Sequence, residues 1–199
     1  MRANTTKGRT FTESARRAQI VAAAIAVIAE HGYAAASFTR IAKQAGLSST
    51  GMISYHFANK DDLIREVLTE ATTVAYHYIS PRMEAVTGYR AKLRARLESN
   101  MELVRAHPAH VKALIEIARN APTTPEFVDE RFGLFANHLR GGQQAGEFGP
   151  FNPDAMAVAI IGAIDATVIG LVNLPDLDAV EFGRELADTF DRSTRANPA

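Results

Sequence analysis

Apolar residues recur at helical spacing along almost the whole chain. The first periodic stretch covers 15–31. Its apolar residues Val21, Ile25 and Ile28 share one helical face. Gly32 follows at a position where a left-handed residue ends many helices. No stretch of four or more residues alternates cleanly between apolar and polar with β-branched enrichment. The pattern therefore predicts an all-α fold of about nine helices.

Capping residues and breaks locate the remaining helices. Side-chain oxygens of serine, threonine, asparagine and aspartate satisfy free backbone N–H groups at a helix start. The predicted N-caps are Ser37, Asn59, Thr124, Asn152 and Asp178. The predicted helices cover 15–31, 37–45, 49–57, 59–81, 89–106, 109–120, 124–139, 153–172 and 178–192. Pro81 is expected to end or kink the fourth helix, and the glycine-rich stretch 141–153 is expected to form a loop.

Length and composition favour one compact core with a small attached module. The chain has 199 residues, of which 47% are hydrophobic. It contains no cysteine, which excludes disulfide frameworks and thiolate metal sites. No stretch of signal-peptide type opens the sequence, so we expect a cytoplasmic protein.

Charge is unevenly distributed, although the formal net charge is zero. The first sixty residues carry 8 Lys and Arg against 2 Asp and Glu, whereas the rest carries 14 against 20. Clustered basic residues gain free energy by displacing counterions from phosphates. The basic part is therefore expected to meet a polyanion.

One apolar stretch reaches the lower length limit of a membrane span. Residues 155–172 are interrupted only by Asp165 and Thr167. The central Asp165 and the lack of flanking Lys or Arg clusters argue against insertion. A helix buried by other helices is the preferred interpretation.

The sequence AGLSSTGMISYHFANKDD at 45–62 is unusual because glycines and hydroxyl residues crowd together before a burst of charge. Two short helices joined by a glycine-containing turn form a helix-turn-helix. Ala42 and Gly46 are expected to let the two helices approach closely. An outward face of small hydroxyl residues suits a helix inserted into the major groove. The alternative is a solvated glycine- and serine-rich loop.

The wider stretch SFTRIAKQAGLSSTGMISYHFANKDDLI at 37–64 resembles the DNA-binding segment of the TetR family of transcriptional regulators. The helix that precedes it and ends in EHGY is also similar to the first helix of that family. The matching positions are Ser37, Ile41, Ala42, Ala45, Gly46, Leu47, Ser48, Ile53, Tyr55, His56, Phe57, Lys60, Asp61, Asp62 and Leu63.

Two departures from the family pattern affect the predicted base contacts. The spacing between Gly46 and Phe57 is one residue longer than usual, which leaves Ser49 and Thr50 as alternative base readers. Ser54 occupies the position where many members have tyrosine, and Tyr55 follows it. A tyrosine-mediated contact is therefore assigned to Tyr55.

The resemblance implies DNA-contacting roles for ten residues. Lys60 is expected to pair with a phosphate, while Tyr55 and His56 are expected to reach phosphates or a thymine methyl group. The ten predicted contacts are Thr39, Arg40, Ser48, Ser49, Thr50, Gly51, Ser54, Tyr55, His56 and Lys60. Residues 1–14 are predicted to be a flexible basic tail, which enters the adjacent minor groove or is simply solvated.

The domain prediction places the helix-turn-helix domain at 15–61 and a ligand-binding and dimerisation domain at 62–199. Short recognition helices usually act in two-fold dimers. The predicted dimer contact is the small-residue stripe Gly162, Ala166 and Gly170, with packing inside one protomer as the alternative. The resemblance also implies a largely apolar ligand cavity. Its candidate lining residues, each with a purely structural alternative, are Asn100, Phe127, Arg131, Phe135 and Asp165.

Catalysis has little support in the sequence. His107 and His110 are spaced for a shared metal but have no convincing third ligand. No GxxxxGK or GxSxG motif is present. We predict no catalytic residue, metal or cofactor. The predicted function is a DNA-binding regulator, most simply a repressor released from a palindromic operator by a small apolar ligand. An architectural DNA binder and a helical ligand-binding protein or enzyme are the alternatives.

Overall fold

The computed structural model describes residues 11–120, 125–174 and 176–196. These residues form nine α-helices, one 3-10 helix at Tyr33–Ala35 and no strand, which confirms the all-α prediction. The helices are α1 (Phe11–His31), α2 (Phe38–Gln44), α3 (Gly51–His56), α4 (Lys60–Glu84), α5 (Tyr89–Ala106), α6 (Pro108–Asn120), α7 (Pro125–Gln144), α8 (Pro153–Asn173) and α9 (Ala179–Thr194).

Side-chain caps fix the starts of four helices where the sequence predicted them. Ser37, Asn59, Asn152 and Asp178 each accept a backbone N–H two or three residues later, at 2.8–3.3 Å. The fifth predicted cap, Thr124, lies outside the described residues. The helix starts are therefore largely a local property of the sequence.

Helix α4 differs from its prediction at its C-terminal end, because Pro81 does not end it. The helix continues to Glu84, and the N–H of Ala85 donates to the carbonyl of Pro81 at 3.0 Å. The first helix also differs, since α1 begins at Phe11 and not at residue 15. Gly32 has φ 82° and ψ 166°, so it ends α1 in an extended conformation with positive φ and not in the left-handed helical one.

Helix α7 extends through part of the predicted glycine-rich loop. A side chain at Gly142 would place its Cβ 2.1 Å from the ring of Phe148, and one at Gly141 would lie 2.6 Å from the ring of Tyr89. These two glycines therefore allow aromatic rings to pack directly on the helix backbone. The resulting packing keeps Gly141 and Gly142 helical, and the prediction of a loop from residue 141 was wrong.

The described residues form two apolar cores. The first contains α1, α2, α3 and the start of α4, together with Ala113 and Ile117 of α6. The second is built from α5 to α9. Because α6 contributes to the first core, the N-terminal helices are packed directly on the C-terminal bundle.

Gly46 is required for its backbone conformation and not for close packing. Its φ is +65°, and a Cβ built there would meet no atom within 4 Å. The N–H of Gly46 donates to the carbonyl of Lys43 at 3.1 Å, and the N–H of Leu47 donates to that of Ala42 at 2.9 Å. These two bonds form a Schellman motif. The expected close approach of helices at Gly46 was therefore wrong.

Within the described residues, α8 is the one helix long and apolar enough to cross a membrane by length and composition. Ile160, Ile164 and Leu171 are buried in the second core, but only 28% of the most apolar 18-residue window is buried. Val158 of α8 and Leu174, which follows the helix, are more than half exposed. Other helices of the same protomer therefore cover one side of α8 only.

Backbone conformation and close packing are the two explanations for glycine at position 46, and they predict different effects of substitution on stability. Gly46→Ala should lower the free energy of unfolding by about 1–2 kcal/mol, since an ordinary side chain disfavours positive φ. Gly46→Asn should cost less, because asparagine tolerates this region and the site has open space. Urea denaturation measures both values. A larger loss for the bulkier asparagine would show instead that close packing selects glycine.

Candidate nucleic-acid interface

Helix α3 has a buried side and an exposed side. Ile53 and Phe57 have 0% exposure and anchor the helix in the first core. On the opposite side, Gly51 and Ser54 are exposed and the ring of Tyr55 is 71% exposed. The buried pair fixes which edge of the helix faces outward.

The segment before α3 is a turn, so the recognition helix begins later than predicted. Ser48 and Ser49 lie in this turn and are exposed. Thr50 is the N-cap residue of α3, and its hydroxyl makes no capping hydrogen bond. The turn that precedes Gly51 therefore accommodates the one-residue longer spacing between Gly46 and Phe57. The side chains of Ser49 and Thr50 both lie at the open N-terminal end of the helix.

Met52 belongs to the same exposed edge and was missed by the sequence reasoning. Its side chain is 43% exposed, although methionine is usually buried. The inward spacing of Ile53 and Phe57 is the signal that could have placed it outward. A methionine at this edge offers an apolar contact for a base methyl group.

Arg17 of α1 holds the C-terminal end of α3. Its guanidinium donates to the carbonyl of His56 and to Oε2 of Glu66, both at 2.7 Å. It also lies over the ring of Phe57, 4.1 Å from the centroid. The side chain is 11% exposed, so these contacts are largely shielded from water. Sequence reasoning missed Arg17, although it shares the helical face of Val21.

Gln19 makes a second contact from α1 to the helix-turn-helix. Its Nε2 donates to the carbonyl of Ala45 at 2.6 Å, at the end of α2. Helix α1 therefore contacts the C-terminal ends of both α2 and α3. These bonds fix the position of the turn and of the exposed edge.

Lys60 begins α4 and is half-buried. Its Nζ donates to the carbonyl of Tyr33 at 3.2 Å and lies 4.3 Å from the centroid of the Tyr33 ring. The N–H of Tyr33 donates to Oε2 of Glu116, on α6, at 3.1 Å. The predicted phosphate-binding ammonium is thus joined through one residue to the C-terminal bundle.

Tyr55 and His56 lie side by side at the end of α3. Their rings are 5.0 Å apart and nearly perpendicular. The hydroxyl of Tyr55 donates to Oε1 of Glu13 in the first turn of α1, at 3.3 Å. A phosphate approaching Tyr55 would therefore also approach the carboxylate of Glu13.

The other predicted contacts lie at the start of α2. Thr39 and Arg40 are exposed there. Of the ten predicted DNA-contacting residues, all fall within the described part of the chain. They lie at the N-terminal end of α2, in the turn before α3, along α3 and at the first residue of α4.

Three of the predicted ligand-binding residues make hydrogen bonds within the described part of the chain. Arg131 donates two hydrogen bonds to the carboxylate of Asp165, at 3.0 and 2.6 Å, so this pair joins α7 to α8. Asn100 donates to the carbonyl of Arg96 at 2.8 Å, and Phe135 is 2% exposed. Phe127 lies on α7, but its side chain is outside the described part.

Two concave regions lie elsewhere in the fold. One of about 640 Å³ is bordered by Arg90, Glu147 and Arg195. Another of about 280 Å³ lies between α1, α6 and α8, next to Glu116. Neither is lined by any of the five predicted residues.

The small-residue stripe on α8 faces away from its own protomer. A Cβ built at Gly162 or Gly170 would meet no atom within 4 Å, and Ala166 is exposed. Packing of this stripe inside one protomer, the alternative considered from the sequence, is therefore excluded among the described residues.

His107 and His110 form an aromatic contact. Their ring centroids are 5.8 Å apart, and the ring of Tyr78 lies 5.7 Å from that of His107. Burial lowers the pKa of His110, and neighbouring His107 lowers it further. In the described ranges, no group of three or more potential ligands is placed to hold a metal ion.

Comparison with known proteins relates the chain to bacterial regulators. Residues 20–67 match the family model described as bacterial regulatory proteins, tetR family. The chain is 35% identical over 190 residues to the HTH-type transcriptional regulator BetI 2 of Chromohalobacter salexigens, covering 89% of this chain and 87% of the relative. It is 28% identical over 156 residues to the fatty acid metabolism regulator protein of Bacillus subtilis, covering 75% and 80%.

The fold is similar to that of solved regulators. The B. subtilis transcriptional regulator FadR in complex with stearoyl-CoA has a TM-score of 0.76 at 24% identity, covering 86% of this chain and 95% of that one. FadR from Bacillus halodurans has a TM-score of 0.75 at 24% identity, covering 87% and 97%. At this identity the likeness shows the fold alone.

Replacing Arg17 should destabilise the exposed edge of α3. Arg17→Met removes hydrogen bonds from a shielded guanidinium to His56 and Glu66, and we expect a loss of about 2 kcal/mol in the free energy of unfolding. Arg16→Met is the matched control, because the partner of Arg16 among the described residues is neighbouring Gln19 on the helix surface. Urea denaturation compares the two variants. Equal stabilities would contradict the anchoring role.

Proposed function

Because this chain belongs to the TetR family of bacterial regulatory proteins and is a DNA-binding transcriptional regulator, we propose that it is a repressor released from a palindromic operator by a small, largely apolar ligand. The observation that carries the proposal is the exposed edge of α3, which rests on the fully buried Ile53 and Phe57. Small polar side chains on a rigidly supported edge suit insertion into a major groove about 12 Å wide.

Seven of the ten proposed DNA-contacting residues divide into two roles. Ser49, Thr50 and Ser54 read base edges, because their hydroxyls are short and both donate and accept hydrogen bonds. Lys60 and Arg40 bind phosphates, which positions the module but carries no sequence information. From the C-terminal end of α3, Tyr55 and His56 add contacts to the DNA backbone.

We propose that a second copy covers the outer side of α8 and the neighbouring face of α9. The large hydrophobic residues exposed on these two helices are Val158, Val180 and Phe182. Gly162 and Gly170 leave open space against which a partner helix packs closely. A two-fold pair would present two copies of α3 to successive turns of the duplex.

Coupling between the bundle and the reading helices is supported by the contacts of Tyr33. Glu116 accepts from its N–H, and Lys60 donates to its carbonyl. A ligand that shifts α6 would therefore move the ammonium group proposed to bind phosphate. Release requires that the ligand bind the DNA-incompetent form more tightly than the competent one.

The nature of the ligand is supported by similarity to proteins of known structure. FadR of B. subtilis was solved with stearoyl-CoA, which combines a long apolar chain with a charged group. For this chain we propose a small, largely apolar effector that enters the C-terminal bundle. We further propose that the protein acts in the cytoplasm and has no catalytic activity.

Substitutions at Lys60 and Thr50 should affect DNA binding differently. Lys60→Ala should weaken binding to every duplex to a similar extent and reduce the slope of log affinity against log salt by about 1. Thr50→Val should change the preferred base at one position, with a discrimination of about 1–3 kcal/mol. Fluorescence anisotropy on a library of duplexes with randomised positions measures both effects.

The same experiment tests the function itself. Salt-sensitive binding without sequence preference in the wild-type protein would favour an architectural DNA binder. No duplex binding at modest ionic strength would favour a helical ligand-binding protein. Identical profiles for the Lys60 and Thr50 variants would contradict the division between phosphate and base contacts.

A charged substitution in the small-residue stripe of α8 should dissociate the proposed dimer. Ala166→Glu places a carboxylate where two α8 helices would pack, so we expect a monomer with weakened operator binding. Ala85→Glu is the control, since Ala85 is an exposed alanine at the end of α4. Light scattering coupled to size-exclusion chromatography gives the mass of each. A dimeric Ala166→Glu protein, or a monomeric wild type, would rule out this interface.

A further inference from the structure

Arg96 on α5 is a half-buried cation without a counter-ion in the part of the chain that the structure describes. Its guanidinium lies over the ring of Phe135, 3.8 Å from the centroid. No carboxylate lies within ion-pairing distance of it among the described residues, and its side chain makes no hydrogen bond there. A cation in this setting is stabilised only by the aromatic face.

Neighbouring arginines on the same bundle have carboxylate partners. Arg94, two residues away, pairs with Glu98 at 3.2 Å and with Asp188. Arg90 pairs with Asp191 at 2.6 Å, and Arg131 pairs with Asp165 at 2.6 Å. Among the described residues, these three arginines therefore have acid partners, whereas Arg96 has none.

The surroundings of Arg96 are unfavourable for a positive charge. Burial lowers its pKa to about 10, and the nearby charge of Arg131 contributes in the same direction. Burial also lowers the pKa of His138, and the charges of Arg96 and Lys92 add to this effect. Several cationic groups therefore share one region of the bundle.

Two described acids of the bundle, Glu147 and Asp165, are already engaged. Glu147 accepts the backbone N–H of Arg90 at 3.1 Å, which holds the pKa of its carboxyl below the ordinary value. Asp165 is held by Arg131 through two hydrogen bonds. Neither compensates Arg96 directly. A buried charge without a partner is costly, and such a charge often marks a site where a ligand binds.

We infer that Arg96 binds the anionic group of the effector, a carboxylate or a phosphate, and that the apolar part of the same molecule lies against the α7 side of the bundle near Phe135. This inference rests on the proposed function, because it names the chemical class of the effector. A guanidinium presents a planar fork that fits both anions through paired hydrogen bonds. The effector is therefore an anionic amphiphile and not a neutral or cationic one.

Three probes of equal chain length test the inference on the full chain: dodecanoate, dodecyl phosphate and the uncharged dodecanol. Isothermal titration calorimetry below the micelle concentrations gives their affinities. We expect at least one anionic probe to bind about 10- to 100-fold more tightly than dodecanol, as expected for hydrogen bonds to a charged group. Which anion binds more tightly distinguishes a carboxylate effector from a phosphate one.

Arg96→Met should remove this preference while leaving the affinity for dodecanol unchanged. Arg94→Met is the matched control on the same helix and should retain the preference, because its guanidinium is paired with Glu98 and Asp188. Equal binding of the charged and uncharged probes to the wild type, or of the anion to wild type and Arg96→Met, would overturn the inference. Failure of all three probes to bind the wild type would also overturn it.

Thermal unfolding without ligand provides a second readout. Arg96→Met should be at least as stable as the wild type, because it removes an unpaired half-buried charge, whereas Arg94→Met should be less stable because it breaks ion pairs. A melting temperature several degrees below wild type for Arg96→Met would assign Arg96 a structural role and overturn the inference.

The role of Arg96 and the proposed function can fail independently of each other. Selective duplex binding by the wild type, together with loss of the anion preference, would contradict only the role of Arg96. Arg96-dependent anion binding by a protein that binds no duplex would contradict the proposed function and support the role of Arg96.

Discussion

Helix α6 is the constraint on which the arrangement of the molecule depends. Its residues Ala113 and Ile117 are buried in the core that supports the recognition helix, and Glu116, between them on the chain, bonds to the turn after α1. The apolar contacts exclude water, and the hydrogen bond fixes the register of the two parts. Packed cores resist continuous deformation, so the proposed coupling requires a displacement of α6 to reach α1 and α4 through these contacts.

The exposed edge of α3 illustrates how function and stability are assigned to different residues. The helix is held on its buried side by Ile53 and Phe57 and at its C-terminal end by Arg17. The outward positions carry small hydroxyl residues and a glycine, which contribute little to the stability of a six-residue helix. A short helix of this composition is marginal alone, so its shape depends on the tertiary support that α1 provides.

The C-terminal bundle combines paired surface charges with incompletely covered apolar faces. Ion pairs such as Arg131 with Asp165 join neighbouring helices, while the outer side of α8 remains exposed in one protomer. Half-buried Arg96 differs from these arginines, because its partner among the described residues is an aromatic ring and not an acid. Natural proteins accept such local costs where a ligand or a second copy offsets them.

The sequence by itself determined the helical class, the caps Ser37, Asn59, Asn152 and Asp178 and the outward placement of the hydroxyl residues, because capping and hydrophobic periodicity act between residues close in the chain. Only the tertiary structure decided the contacts that join distant segments. Arg17 contacts the C-terminal end of α3, and Arg131 pairs with Asp165, although both of these were expected to line a cavity. Gly141 and Gly142 are helical, and aromatic rings pack on them. These contacts depend on how helices far apart in sequence pack against one another, and local patterns carry no information about such pairings.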